Sequence, residues 1–249
     1  MKNFLIAILL FTVSIMVTYS QSHKPALFFN TIDDYPSGLK IDFNTGFSKQ
    51  IFHKLYFLSY GLSPEYDDFF KPLTNAWYNN LSLMYYLRKA PQIGFGIKYD
   101  FSHSSSSSSS LSLDINNELI STGNIKRKVN YGFIGPAIST RILFLDKNMF
   151  YSNIALGGMY YIQNDNSFNL DRKCDVVTSS SGIAIRFEFA YEYLIDKHWA
   201  LGFNATFNNA GFFGYSITEN GNSKDYWYGD EKEPILSVIN TGLGLKYSF

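Results

Sequence analysis

The strongest constraint on the fold is an alternation of apolar and polar residues with a period of two, which recurs in eight segments. Successive side chains of a β-strand point to opposite faces, so each segment predicts a strand with one apolar and one polar face. In the clearest segment, residues 182–193, every second residue is Ile, Phe or Tyr. The eight segments are residues 39–48, 81–87, 93–101, 131–144, 150–162, 182–193, 199–208 and 239–249.

The connections between these segments alternate in length. Three are short, at residues 88–92, 145–148 and 194–198. Four are long, at residues 49–77, 102–130, 163–180 and 209–234. Transmembrane β-barrels have short periplasmic turns and long extracellular loops, with both chain ends on the periplasmic side. We therefore predict an all-β fold: an up-and-down antiparallel transmembrane β-barrel of about eight strands, or of ten if residues 52–58 add a strand.

The start of the chain and its charge balance narrow the class further. Lys2 precedes an apolar stretch at residues 4–17, which predicts a signal peptide over residues 1–20 and a mature chain that starts at Gln21, with the barrel domain over residues 21–249. The 21 basic and 21 acidic residues balance, which argues against a nucleic-acid partner. The single cysteine, Cys174, excludes an internal disulfide.

Alternation alone does not say which face is outside, because a soluble barrel around an apolar cavity has the same pattern. The aromatic residues favour a membrane, since rings that are part apolar and part polar prefer the membrane interface. We predict a girdle of aromatic residues near the short turns. Its members are Tyr85, Phe144, Phe150, Tyr191, Tyr193, Trp199, Tyr247 and Phe249.

With the apolar faces outward, charged residues of both signs fall inside the barrel. An eight-stranded barrel is only wide enough for side chains to fill it, and buried charges must be paired. We therefore predict an ion-pair network that leaves no continuous path for water, whereas ten strands would permit a narrow pore. Its residues are Lys40, Asp42, Arg88, Lys98, Asp100, Arg141, Arg186, Glu188, Glu192 and Lys246.

The last seven residues, LGLKYSF at 243–249, are similar to the terminal signal that assembly machinery recognises in outer-membrane barrels. Over residues 36–249 the chain resembles small outer-membrane β-barrel proteins, in particular the porin-like family of Bacteroidetes-type bacteria. The resemblance implies a location in the bacterial outer membrane and contact with its lipid, with lipopolysaccharide and with the assembly machinery. It implies a fold and a location more than an activity.

Residues for chemistry are sparse, and we predict no catalytic activity, cofactor or metal site. The four histidines, His23, His53, His103 and His198, have no metal-ligand spacing. Some small barrels hydrolyse lipid A, and the resemblance of His103 and Ser105 to the spacing in those enzymes, with Glu118 as an acid, leaves a lipid A-modifying hydrolase as an alternative.

Two of the long connections have a distinctive composition. The serine tract at residues 104–110 is expected to be mobile, because it has no apolar side chain to bury. The fourth connection is rich in aromatic residues among polar ones, which suits contact with an extracellular protein or glycan. An alternative is that they pack over the barrel mouth. These residues are Phe212, Phe213, Tyr215, Tyr226, Trp227 and Tyr228.

Overall fold

The computed structural model describes residues 37–53, 67–113, 119–120, 122–144, 147–169, 172–227 and 234–249, and most of them lie in strands. A short helix, α1 (Asp67–Phe70), runs into a 3-10 turn at Lys71–Thr74. The strands are β1 Gly38–His53, β2 Asn75–Leu87, β3 Ala90–Ser108, β4 Ser112–Leu113, β5 Leu119–Ile120, β6 Asn124–Phe144, β7 Asn148–Asn169, β8 Arg172–Leu194, β9 Trp199–Glu219, β10 Asn222–Trp227 and β11 Ile235–Ser248. No helix within the described residues has the length and apolarity to cross a membrane.

Eight antiparallel strands close into a ring. The order is β1, β2, β3, β6, β7, β8, β9 and β11, and β11 pairs back onto β1, for example Leu245 with Phe43. The predicted up-and-down barrel of eight strands is confirmed. Of the suggested extra strand at residues 52–58, residues 52 and 53 are the last two of β1, and the others lie outside the described residues. The predicted signal peptide also lies outside them.

The apolar faces of the strands point outward. Phe47 and Leu243 keep 69% and 67% of their surface exposed, whereas Lys98 and Arg186 are buried inside. We call the outward zone of apolar side chains the apolar belt; on β3 it runs from Ile93 to Phe101 and ends before Ser105. A soluble barrel around an apolar cavity therefore does not describe this fold.

Five strands continue past the belt as an extended wall. A membrane needs about 9–11 residues per strand, yet β6 has 21 and β8 has 23. The predicted long loop at residues 163–180 is instead a paired hairpin of β7 and β8. The expectation of a mobile serine tract was likewise wrong for residues 104–108, which pair with β6. The backbone of these serines pairs with residues 125–129 of β6, where Ile125 and Val129 are buried.

The interior at the wall end of the barrel holds a cluster of buried apolar side chains. We call residues 67–74 the cap, because its side chains Phe69 and Leu73 are buried against the wall. The Ser104 hydroxyl donates a hydrogen bond of 3.0 Å to the Leu73 carbonyl oxygen. From the short β4–β5 hairpin, the amide of Leu113 donates to Ser167 Oγ at 2.7 Å. The cap and this hairpin cover the interior from the wall end.

Candidate functional site: the charged barrel interior

The charged interior lies within the height of the apolar belt and consists of two clusters. The turn-end cluster comprises Lys40, Asp42, Glu192 and Lys246. The central cluster comprises Lys98, Asp100, Arg186 and Glu188. Each cluster contains two cations and two carboxylates, so each is neutral.

In the turn-end cluster, the Glu192 carboxylate lies between two ammonium groups. Lys40 Nζ and Lys246 Nζ are each 2.7 Å from Glu192 Oε1. Lys40 also approaches Asp42 Oδ1 at 3.2 Å and lies 3.9 Å from the centre of the Tyr151 ring. Three strands, β1, β8 and β11, thus contribute to one group in which each of the four charges has an opposite charge beside it.

In the central cluster, Arg186 joins two carboxylates. Its guanidinium forms ion pairs with Asp100 and with Glu188. Lys98 Nζ lies 3.0 Å from Glu188 Oε1, so this carboxylate also accepts from two cations. The strands β3 and β8, which are not neighbours in the ring, are connected through these side chains.

Neutral polar side chains add hydrogen bonds to the carboxylates. Ser82 Oγ donates to Asp42 Oδ2 at 2.8 Å, and Asn80 Nδ2 donates to Asp100 Oδ1 at the same distance. Asn153 Nδ2 donates to Glu188 Oε1 at 3.1 Å. Burial of ions is costly unless such extra hydrogen bonds are made. These side chains therefore cross-link the strands from inside the barrel.

Two of the ten residues that we predicted in the interior network behave differently. Arg88 lies exposed on the β2–β3 turn, so its assignment to the interior was wrong; the strand ends at Leu87, one residue earlier. Arg141 is buried, but its Nε donates to the Pro91 carbonyl oxygen at 2.6 Å and its guanidinium lies 3.6 Å from the centre of the Tyr86 ring. It is held by a carbonyl and a ring near the turns.

The sequence prediction missed a further buried ion pair at the wall end. Arg127 Nε and Asp165 Oδ1 are 2.6 Å apart, and Gln163 Nε2 donates to the same carboxylate at 2.7 Å. The Arg127 guanidinium also lies 5.6 Å from the Phe69 ring of the cap. We had placed these residues in loops, although Ile125, Arg127 and Val129 continue the alternation of β6.

The predicted aromatic girdle occupies the turn end of the barrel. Tyr85, Phe150, Tyr191, Tyr193, Trp199 and Phe249 are exposed on the outer surface, and Tyr247 is half-buried there. Tyr247 contacts the rings of Trp199 and Phe249, with centroids 4.7 and 4.8 Å away. The side chain of Phe144 lies outside the described residues.

The aromatic residues of the fourth connection do not form one surface. Phe212 is buried inside, so it is not available for recognition. Tyr215 and Tyr226 stack with centroids 4.9 Å apart. Trp227, 81% exposed, pairs with Gly214, on the opposite side of the ribbon from this tyrosine pair. Phe213 is exposed and Tyr228 lies outside the described residues.

Of the residues that suggested chemistry, the structure describes His103, Ser105 and Cys174. His103 Nδ1 is 2.7 Å from Asn130 Oδ1, an amide where a hydrolase would need a carboxylate, and Glu118 lies outside the described residues. Cys174 is buried, with its Sγ 3.4 Å from Glu219 Oε1. Across the described part of the chain, no group of three His, Cys, Asp or Glu side chains has a geometry for a metal ion.

Comparison with known proteins supports the fold. No protein-family model and no curated protein matches the sequence. Among solved structures, a major outer membrane protein from Thermus thermophilus is 10% identical, with a TM-score of 0.50 over 85% of this chain and 99% of that chain. The outer membrane protease OmpT from Escherichia coli is 12% identical, with a TM-score of 0.48 over 92% of this chain and 99% of that chain.

The attachment invasion locus protein Ail of Yersinia pestis is 14% identical, with a TM-score of 0.44 over 86% of this chain and 99% of that chain. Identities this low are informative about the fold alone. The Thermus thermophilus structure, at a TM-score of 0.50, supports the β-barrel fold of an outer-membrane protein for this chain.

Proposed function

We propose that this protein is an integral β-barrel of a bacterial outer membrane with a structural or surface-interaction role and no catalytic activity. The observation that carries the proposal is the pairing of an outward apolar belt with a charged, ion-paired interior. Soluble monomers rarely expose so large a continuous apolar surface to water. Lipid accepts it, because a closed ring leaves no strand edge unpaired within the belt.

The orientation follows from the same features. The aromatic girdle and short turns face the periplasm, and the extended wall with its cap faces the outside of the cell. The proposal also includes export through a signal peptide cleaved before Gln21 and assembly through residues 243–249. It further includes contact with lipopolysaccharide and an origin in Bacteroidetes-type bacteria. These parts of the proposal rest on the sequence.

Fractionation of cells that produce the full chain tests the proposal. We expect the protein in the outer-membrane fraction, with a gel mobility that changes on heating because folded barrels resist detergent. Recovery in the soluble periplasmic fraction would overturn the assignment.

A narrow pore is the second candidate, and the filled interior argues against it. The turn-end cluster, the central cluster and the cap occupy three successive heights of the barrel, which supports a closed barrel. We expect no conductance steps when the purified barrel is inserted into planar lipid bilayers. Reproducible steps from the unmodified protein would establish a pore in place of a closed barrel.

A lipid A-modifying hydrolase is the remaining alternative. Because the described partner of His103 Nδ1 is the Asn130 amide oxygen, we expect the His103→Ala variant to leave the acylation of lipid A unchanged by mass spectrometry. A changed profile in cells with the unmodified protein, lost in the variant, would show an enzyme.

A further inference from the structure

Near the ends of its strands, the extended wall carries a cleft that is lined mainly by serine, asparagine and lysine residues. It measures about 450 Å³ and is lined from β3, β6, β7 and β8 near their wall ends. Lys126 of β6 and Lys173 of β8 line it, and Phe168 of β7 lies between their strands.

Strand pairing places these side chains in two adjacent rows on one face. In the first row, Lys126 pairs with Ser107 of β3 and with Asn166 of β7. In the second row, Phe168 pairs with Asn124 of β6 and with Lys173 of β8. All of these residues occupy outward positions, so the grid is set by β-sheet geometry and not by a loop conformation.

The charge in the cleft is positive. Lys126 and Lys173 are its charged lining residues, and no carboxylate lines the described part of it. Among the described residues, Asp175 is an acid on this face, and it forms an exposed ion pair of 3.2 Å with Lys173. Lys128 is exposed on the same face, one outward position from Lys126. The face therefore attracts anions, and exposed ammonium groups bind them in a salt-dependent way.

The neutral groups of the cleft indicate what carries the anion. Serine hydroxyls and asparagine amides both donate and accept hydrogen bonds, as the hydroxyl groups of a sugar require. Phe168, 49% exposed, offers an aromatic face beside them. Because neighbouring strands are about 4.8 Å apart, β6 and β8 are separated by roughly 10 Å, which accommodates a saccharide of about two rings.

We propose that this cleft binds an anionic saccharide, with Lys126 and Lys173 contacting its phosphate, sulfate or carboxylate groups and Phe168 packing against a ring. The source is either the glycolipid of the same membrane or a soluble polysaccharide outside the cell. The placement of this face outside the cell and the membrane glycolipid as a source both rest on the proposed function.

The test is calorimetric titration of the purified, folded full chain in a neutral detergent. The probes are a sulfated tetrasaccharide, its desulfated counterpart and a phosphorylated core oligosaccharide freed of its lipid. We expect both anionic saccharides to bind, more weakly as salt increases, and Lys126→Gln and Lys173→Gln each to reduce affinity at least about fivefold, the size of a lost charge-assisted hydrogen bond. Phe168→Ala should reduce the affinity as well.

Lys224→Gln is the matched control, because Lys224 is an exposed lysine on β10 that does not line the cleft. Its affinity should equal that of the unmodified protein. Equal losses in all three lysine variants, no binding of either anionic saccharide, or binding of oligoglutamate in their place would overturn the proposal.

A comparison of the two anionic probes, repeated with intact glycolipid in vesicles, distinguishes the two sources. The change in gel mobility on heating, measured on the same samples, shows whether the barrel is folded, independently of binding at the cleft. A folded barrel that binds no saccharide would refute the cleft and leave the proposed function standing.

Discussion

Lys40 Nζ lies 2.7 Å from Glu192 Oε1, although the two residues are 152 positions apart in the sequence. They belong to β1 and β8, which are separated in the ring by β9 and β11. The contact therefore crosses the interior and not the strand ladder. A side-chain network of this kind fixes the shape of the ring in addition to its backbone hydrogen bonds.

Removal of the shared carboxylate should destabilise the barrel strongly. In Glu192→Gln, Lys40 and Lys246 lose the anion that both contact, and an uncompensated buried charge costs about 3–5 kcal/mol. The measurement is urea unfolding of the protein in lipid vesicles. Asp175→Asn is the control, because its ion pair with Lys173 is exposed and such pairs contribute about 0–1 kcal/mol. Equal losses in the two variants would contradict a structural role of the turn-end cluster.

A charged side chain should destabilise the protein in the middle of the apolar belt, and much less beyond the belt on the same strand. Ile97 is 54% exposed on the outer face of β3, and an arginine in its place should cost roughly 2–4 kcal/mol in a bilayer. Ser105 occupies the same face of the same strand beyond the belt, where arginine should cost about 0–1 kcal/mol. The free energy of unfolding in vesicles gives both values. Similar costs at the two positions would show that the belt does not face lipid.

Substitution by alanine at two neighbouring glycines of β7 should change the stability of the barrel by very different amounts. A Cβ on Gly157 would overlap the backbone carbonyl of Ile134 and the backbone of Gly135 on β6, whereas a Cβ on Gly158 meets only the Gly182 carbonyl oxygen, at 4.0 Å. Gly157→Ala should therefore cost about 1–3 kcal/mol or more through overpacking, and Gly158→Ala close to nothing. Refolding yield in vesicles compares them. A tolerated Gly157→Ala would disprove the close approach of β6 and β7.

The contribution of the β8–β9 turn to stability should depend on pH, because the turn contains Asp196. Its Oδ1 accepts hydrogen bonds of 2.7 Å from the amides of Trp199 and His198, and these two amides hold the pKa of the carboxyl below its ordinary value. A depressed pKa stabilises the folded state above the ordinary value of the unfolded chain, and this stabilisation is lost as the pH falls through the folded pKa.

Asp196→Ala should therefore lower the unfolding midpoint at neutral pH, and the difference from the unmodified protein should shrink in acid. Asp196→Asn keeps an acceptor oxygen and should fall between the two. A loss of stability in Asp196→Ala that does not change with pH would contradict a role for the charge.

Some features of the fold followed from alternation, and others did not. The faces of Lys98, Asp100, Arg186 and Glu188 were readable, because a strand places every second side chain on one side. The position of Arg88 was not, since a one-residue difference in where a strand ends decides between interior and turn. The outer parts of β7 and β8 were mistaken for a loop because their sequence is polar on both faces in places, such as residues 163–167.

The sequence alone determined which residues within a segment share a face, and hence strands with one apolar and one polar side, because this property is local to each segment. Only the tertiary structure decided which charges meet: that Glu192 lies between Lys40 and Lys246, that Arg186 joins Asp100 to Glu188, and that Lys126 and Lys173 line one cleft. The physical reason is that the register between strands and the closure of the ring bring distant residues together. No periodicity within one segment records these relations.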